Sequence, residues 1–283
     1  MRTRVSSLEE FVARVIPALS QREAENNLPF GIVLRLAAGQ VTPPGTVLLS
    51  VESGEEVVAC AIRTPPHDIV VSRLPAGAAR VVADYFLALP VAISGAMGPE
   101  HSGREVAELV AEGLGGRAVR RMGQWVYELT AVKAVTQPPG EARPASRDEE
   151  AFVAACHDAF AAEAGLRLSN DASVWARTEI AAGRAYVWDH AGPRALACTS
   201  RETPSGRCIG PVHTPVECRR RGYATALVAN LAGRILDTGK RFACLFTDAS
   251  NPTSNHIYET IGFRRICSFD AYKIESVATT SRP

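Results

Sequence analysis

The chain has 283 residues, with 31 Lys and Arg against 30 Asp and Glu and a formal net charge of +1. That length holds one large or two ordinary domains, and the even charge argues against nucleic-acid and membrane-surface partners. The seven cysteines show neither Cys-x-x-Cys nor metal-ligand spacing, which fits reduced thiols of a cytoplasmic protein with no metal site; no run approaches a membrane span and no secretory cleavage site is seen.

Along the chain, Leu8, Phe11, Val12, Val15 and Ile16 fall at helical spacing. The polar cluster Glu23-x-Glu25-Asn26-Asn27-Leu28 reads as a solvated helix end, with a pocket role as the alternative. Alternation over residues 46–51 and 56–61 predicts a hairpin. Residues 68–71 read as a strand, Val81, Val82, Phe86 and Leu87 as a helix, and residues 90–94 as a further strand. A helix through Val106, Leu109 and Val110 and a strand over 125–129 close the half. Residues 137–146, rich in Pro and carrying Gly140, read as a linker.

The second half opens with a helix carrying Phe152, Val153, Cys156 and Phe160. A polar loop over 166–173, a helix with Val174, Trp175 and Ile180, and strands over 185–188 and 195–198 follow. An extended segment over 209–214 then enters Arg219-Arg220-Arg221-Gly222, which opens a helix with Ala224, Leu227, Val228, Leu231 and Ile235 on one face. Such a strand-loop-helix join turns successive N–H groups toward one point at the positive end of the helix dipole, a natural seat for a phosphate or diphosphate. A buried strand over 241–247 leads to Asn251-Pro252, a cap and first turn, and to a helix with Ile257, Tyr258 and Ile261 that Gly262 ends.

Arg219-x-x-Gly222-x-Ala224 resembles the acyl-CoA loop of the GCN5-related N-acetyltransferase (GNAT) superfamily, and Asn251 through Ser254 and Tyr258 to Gly262-Phe263 is similar to its second signature. The resemblance implies an α/β (α+β) chain of two GNAT-like domains. Each has a mixed, mostly antiparallel central sheet flanked by helices, with a splayed parallel strand pair at the acyl-CoA site. The expected layout is a degenerate domain over 1–136, lacking both signatures, the linker, and a catalytic domain over 147–283.

The resemblance further implies an acetyltransferase that takes acetyl-CoA as cosubstrate and a primary amine, of a small molecule, as acceptor in a ternary complex. Donor contacts map onto Val212, His213, Thr214, Arg219, Arg220, Arg221, Gly222, Tyr223, Ala224, Thr225, Asn251, Ser254 and Tyr258. Tyr258 maps onto the acid that protonates the departing thiolate. Where several relatives carry a Glu base this chain has Leu245 and Phe246, so Asp248 and His213 are the base candidates. The acceptor loop is 166–173, with Trp175, Trp188, Asp189 and His190 as further pocket candidates. Protein acetylation, a thiol-synthase-like tandem enzyme and a non-catalytic acyl-CoA sensor are the other readings. The oligomeric state is open.

Overall fold

Two runs of elements in the same order, β-α-α-β-β-β-α-β-α-β, make up the chain. The computed structural model describes residues 1–166 and 171–276. Two units emerge among the described residues, Met1–Trp125 joined by residues 267–276, and Val126–Ile266.

The first run comprises β1 (Arg2–Val5), α1 (Leu8–Leu19), α2 (Asn27–Ala37), β2 (Val47–Ser53), β3 (Glu56–Arg63), β4 (Ile69–Val71), α3 (Ala78–Leu87), β5 (Gly95–Pro99), α4 (Ser102–Gly113) and β6 (Gly116–Leu129). The second comprises β7 (Glu141–Pro144), α5 (Glu150–Glu163), α6 (Ala172–Ala181), β8 (Ala185–Asp189), β9 (Pro193–Glu202), β10 (Gly206–His213), α7 (Tyr223–Asp237), β11 (Phe242–Asp248), α8 (Pro252–Ile261) and β12 (Arg264–Ser276). Among the described residues no helix is long and apolar enough to cross a membrane.

In the first unit β1 through β5 lie side by side, and β12 follows β5. All pairings given for this sheet are antiparallel except β4 with β5. Successive strand residues serve opposite faces. Leu48, Cys60 and Ile62 join Phe11, Val15, Phe30 and Val33 of α1 and α2. Leu49, Val51 and Ala61 join Val82, Phe86, Val106 and Val110 of α3 and α4. The capping box of Ser7 with Glu10 starts α1.

In the second unit the order is β7-β8-β9-β10-β11, with the end of β6 beside β11. Ala185, Val187, Leu196 and Cys198 pack against Val153, Cys156 and Ala176 of α5 and α6. Strands β10 and β11 run parallel, but their partner pairs stop at Cys208↔Cys244. Both strands continue, to His213 and Asp248, so their C-terminal halves part.

Four expectations change. Residues 137–146 are no free linker, because they carry β7, paired with β8 from Glu141↔Asp189 to Pro144↔Tyr186. Arg143 anchors that strand on Glu149 at 2.7 Å and Asp189 at 2.5 Å. The boundary expected after 136 falls instead at 125/126, and the residues from Cys267 leave the second unit to pair with β5, as in Phe269↔Pro99 and Tyr272↔Ala96. The strand expected over 90–94 lies later, at β5. That strand is glycine-bearing because a Cβ at Gly98 would come 2.5 Å from Val71 Cγ2, a demand of packing that leaves no apolar periodicity. The fourth change is that Glu23, Glu25, Asn26 and Asn27 are buried rather than solvated; Arg73 neutralises Glu25 with two hydrogen bonds of 2.9 and 2.8 Å.

Candidate active site

The site grows from the divergence of β10 and β11. Beyond His213 the chain makes a short 3-10 turn over Val216–Cys218, and Arg219 is extended. Arg220 then takes φ 62°, a left-handed conformation costing on the order of 1 kcal/mol in a non-glycine residue. Gly222, the residue before α7, takes φ 81°. Its nearest outside neighbour, Pro138 Cγ, would be 3.9 Å from an added Cβ, so the backbone angle and not space calls for glycine. Gly222 has no side chain with which to cap α7, so the first-turn N–H groups at the positive end of this fifteen-residue helix have no cap from the N-cap residue. This concave run of amides beside two left-handed residues fits the diphosphate of an acyl-CoA.

The loop opens onto a cavity of about 590 Å³. Val212, His213 and Thr214 line it from the end of β10, Arg219, Arg220, Arg221 and Gly222 from the loop, and Tyr223, Ala224 and Thr225 from the first turn of α7. Asn251, Ser254 and Tyr258 line it from α8 and its cap. All the donor contacts expected from the sequence therefore meet at one cavity. Their contacts differ in kind. Arg220 and Arg221 are exposed, whereas Arg219 is engaged, donating from Nε to the Thr214 carbonyl at 2.9 Å and from Nη2 to Glu163 Oε1 at 2.5 Å. Tyr223 is buried, with its hydroxyl 2.9 Å from His190 Nδ1. Asn251 Oδ1 accepts from the Ser254 N–H at 3.0 Å and caps α8, leaving Nδ2 to donate elsewhere. Thr214 Oγ1 is buried without a hydrogen-bond partner.

Tyr258 is 7% exposed and lies between two rings, Tyr127 at 6.3 Å and Phe263 at 6.0 Å between centroids. Burial, with Cys208 acting in the same direction, lifts its phenol well above the usual range. The hydroxyl therefore keeps its proton at neutral pH. Tyr127 is fixed in turn by donating to Glu259 Oε1 at 2.9 Å.

His213 is 7% exposed, and desolvation holds its imidazole below the ordinary histidine value; Glu163 opposes this and Arg219 adds to it. A neutral imidazole at neutral pH is a competent base. Asp248, the other candidate, is not among the residues lining the cavity. Its Oδ1 accepts from Ser250 N at 2.8 Å and Ser250 Oγ at 2.7 Å, so its carboxylate closes the turn between β11 and α8.

Glu163, Cys218, Thr253 and Ile257 also line the cavity without having been expected there. Ile257 was legible as an apolar helix position, but the burial of Cys218 and the approach of Glu163 have no local signal. Trp175, Trp188, Asp189 and His190 do not line it. Trp175 stacks on His157 at 3.8 Å, Trp188 is buried and donates to the Pro139 carbonyl, and Asp189 pairs with Arg143. Within the expected acceptor loop 166–173, residues 167–170 lie outside the described residues.

The whole chain has the GNAT fold. It aligns with a GCN5-related N-acetyltransferase from Sphaerobacter thermophilus (TM-score 0.61, 21% identity, 96% of this chain and 94% of that one). It aligns also with an acetyltransferase from the GNAT family of Colwellia psychrerythraea (0.56, 11%, 97% and 100%) and a tandem GNAT protein from the clavulanic acid biosynthesis pathway (0.57, 15%, 98% and 99%). Residues 192–272, from the start of β9 into β12, match the family described as FR47-like protein. Fold and match together show that the chain is similar to N-acetyltransferases of the GNAT family in its architecture over the whole length and in sequence over residues 192–272. No curated protein matches the chain by sequence.

Proposed function

We propose that the second unit moves an acetyl group from acetyl-CoA to the primary amine of a small molecule, by direct attack within a ternary complex. The observation that carries this reading is the single cavity shared by the amide loop, the end of β10 that has parted from β11, and Tyr258. Bound acetyl-CoA supplies the activated acetyl group and a thiolate leaving group.

The chain's own residues divide the remaining work. The N–H groups of residues 222–225, with Arg220 and Arg221, receive the diphosphate by charge-assisted hydrogen bonds. The end of β10, Val212 to Thr214, is paired with β9 on one side and open on the side toward β11, where it offers main-chain groups to the pantetheine arm and a donor to the thioester carbonyl. Asn251 Nδ2 holds the same arm from the other side. His213 takes a proton from the amine, and Tyr258 Oη delivers one to the departing sulfur. Because burial keeps Tyr258 protonated, the acid is loaded across the working pH range.

The test is release of free thiol from acetyl-CoA across a panel of amines and peptides. Amine-dependent release by the wild type, lost in Tyr258→Phe with acetyl-CoA affinity retained, is the expected result. Donor binding with no acceptor-dependent release would instead favour a sensor, and release with peptides alone a protein acetyltransferase.

A further inference from the structure

Glu163 is the last residue of α5 and the one carboxylate among the described residues lining the cavity. Its two oxygens face different partners. Oε1 accepts from Arg219 Nη2 at 2.5 Å, and Arg219 is itself pinned by the Thr214 carbonyl. Oε2 points to His213 Nδ1 at 3.9 Å. That gap is too long for a hydrogen bond between the two groups, yet one nitrogen carrying two N–H bonds spans it at ordinary lengths. The oxygen is not spent, because the carboxylate remains 55% exposed in its side chain. Around it the cations are Arg219, which is engaged, and Arg220 and Arg221 across the loop.

We propose that Glu163 is the acceptor-recognition carboxylate of this cavity, seating a primary ammonium between its Oε2 and His213 Nδ1. The proposal rests on the acetyl-transfer reading and names the charge state in which the acceptor arrives. One N–H donates to Glu163 Oε2 and a second to His213 Nδ1, in its Nε2–H tautomer. Transfer of the second proton breaks that N–H bond, forms Nδ1–H and leaves the electron pair on the amine nitrogen. The pair then forms the C–N bond to the acetyl carbon while the C–S bond breaks, and Tyr258 supplies the sulfur's proton. The surplus proton of the new amide nitrogen leaves to solvent, from which Tyr258 is reloaded. Glu163 stabilises the imidazolium meanwhile, and so discriminates against neutral acceptors such as alcohols.

Glu163→Gln keeps an acceptor for Arg219 and removes the charge. The groups that face His213 are Glu163 from α5, with Glu217 and Arg219 from the loop. Losing Glu163 leaves burial and Arg219 less opposed, so the acid limb of kcat/KM moves to lower pH. The amine KM rises about tenfold, the acetyl-CoA KM stays within about twofold, and Glu163→Asp recovers part of the loss. An unchanged amine KM with an unchanged acid limb overturns the proposal and leaves acetyl transfer standing. If the wild type releases thiol with no amine at all, the parent reading fails instead. NMR titration of the His213 ring with 1,4-diaminobutane then decides for Glu163. A response in the wild type that is absent from Glu163→Gln supports the seat, and equal or absent responses in both overturn it.

Discussion

The two units repeat one order of elements, and each places a glycine with positive φ before the helix that follows its central parallel strand: Gly77 at 79° before α3, Gly222 at 81° before α7. What surrounds those glycines differs. In the first unit the connection over 72–76 is short, the Leu74 N–H is taken by Ser102 Oγ at 2.9 Å, and Arg73 is bound to Glu25 and to Glu100 at 3.3 Å. In the second unit the connection is longer, Arg220 and Arg221 are exposed, and Gly222 has no side chain with which to cap α7. Helix α8 begins with an Asn251 cap, whereas α4 begins after His101, which makes no capping bond. The start of α3 has no side-chain cap either, so the units differ in the loop before the helix: the first fills its loop from within through Ser102 and Glu25, and the second leaves two arginines exposed.

Substitution at the paired glycines breaks or upholds this contrast most sharply. Gly222→Val must hold a β-branched residue at φ 81°, a strain of roughly 1–3 kcal/mol, and should raise the acetyl-CoA KM by more than tenfold. Gly77→Val carries the same strain at φ 79° and should lower the Tm alone. Equal loss of donor binding in both variants would refute the assignment of the donor site to one unit. Tyr258→Phe should lower kcat about a hundredfold with the acetyl-CoA KM within about twofold, measured by thiol release.

Arginine pairs come next. Arg220→Ala or Arg221→Ala should each weaken acetyl-CoA by about tenfold in calorimetry, while Arg73→Ala leaves donor binding unaltered and destabilises the first unit by removing both hydrogen bonds to buried Glu25, which keeps only the longer contact with Arg22 at 3.7 Å.

The pH dependence sharpens the comparison within the site. His213 must be neutral to act as a base, and burial lowers its pKa below 6.5. Activity should therefore be flat through neutrality and fall only as pH drops below the ordinary histidine range. A limb at or above 6.5 would contradict that, and its persistence in His213→Gln would remove His213 as the base. Asp248→Asn should have the smallest effect, under about twofold on kcat, because its carboxylate serves the Ser250 turn; a loss above tenfold would restore Asp248 as a base.

What could be read from the residues was whatever depends on neighbours in the chain. The helix starts at Asn251-Pro252 and Gly222, the stripes of α5 and α7 and the two signatures all rest on local spacing. Glu163 carries no such mark, since it meets His213 and Arg219 only when α5 packs beside the end of β10. Tyr127, read as part of a closing strand, reaches Tyr258 by sheet position. Asp248 and His213 were equivalent as titratable residues near the motifs, and only hydrogen-bond geometry separated them.

The chain by itself determined the fold class, the repeated order of elements and the place of the two signatures in the second half, because backbone angle, capping and amphipathic period are written in adjacent residues. Tertiary structure decided the extent of each unit, with Glu141–Pro144 drawn into a strand and residues 269–273 pairing with β5. It also decided which carboxylate faces the cavity. Strand pairing and burial join residues far apart in sequence, and their energies depend on partners that no local pattern names.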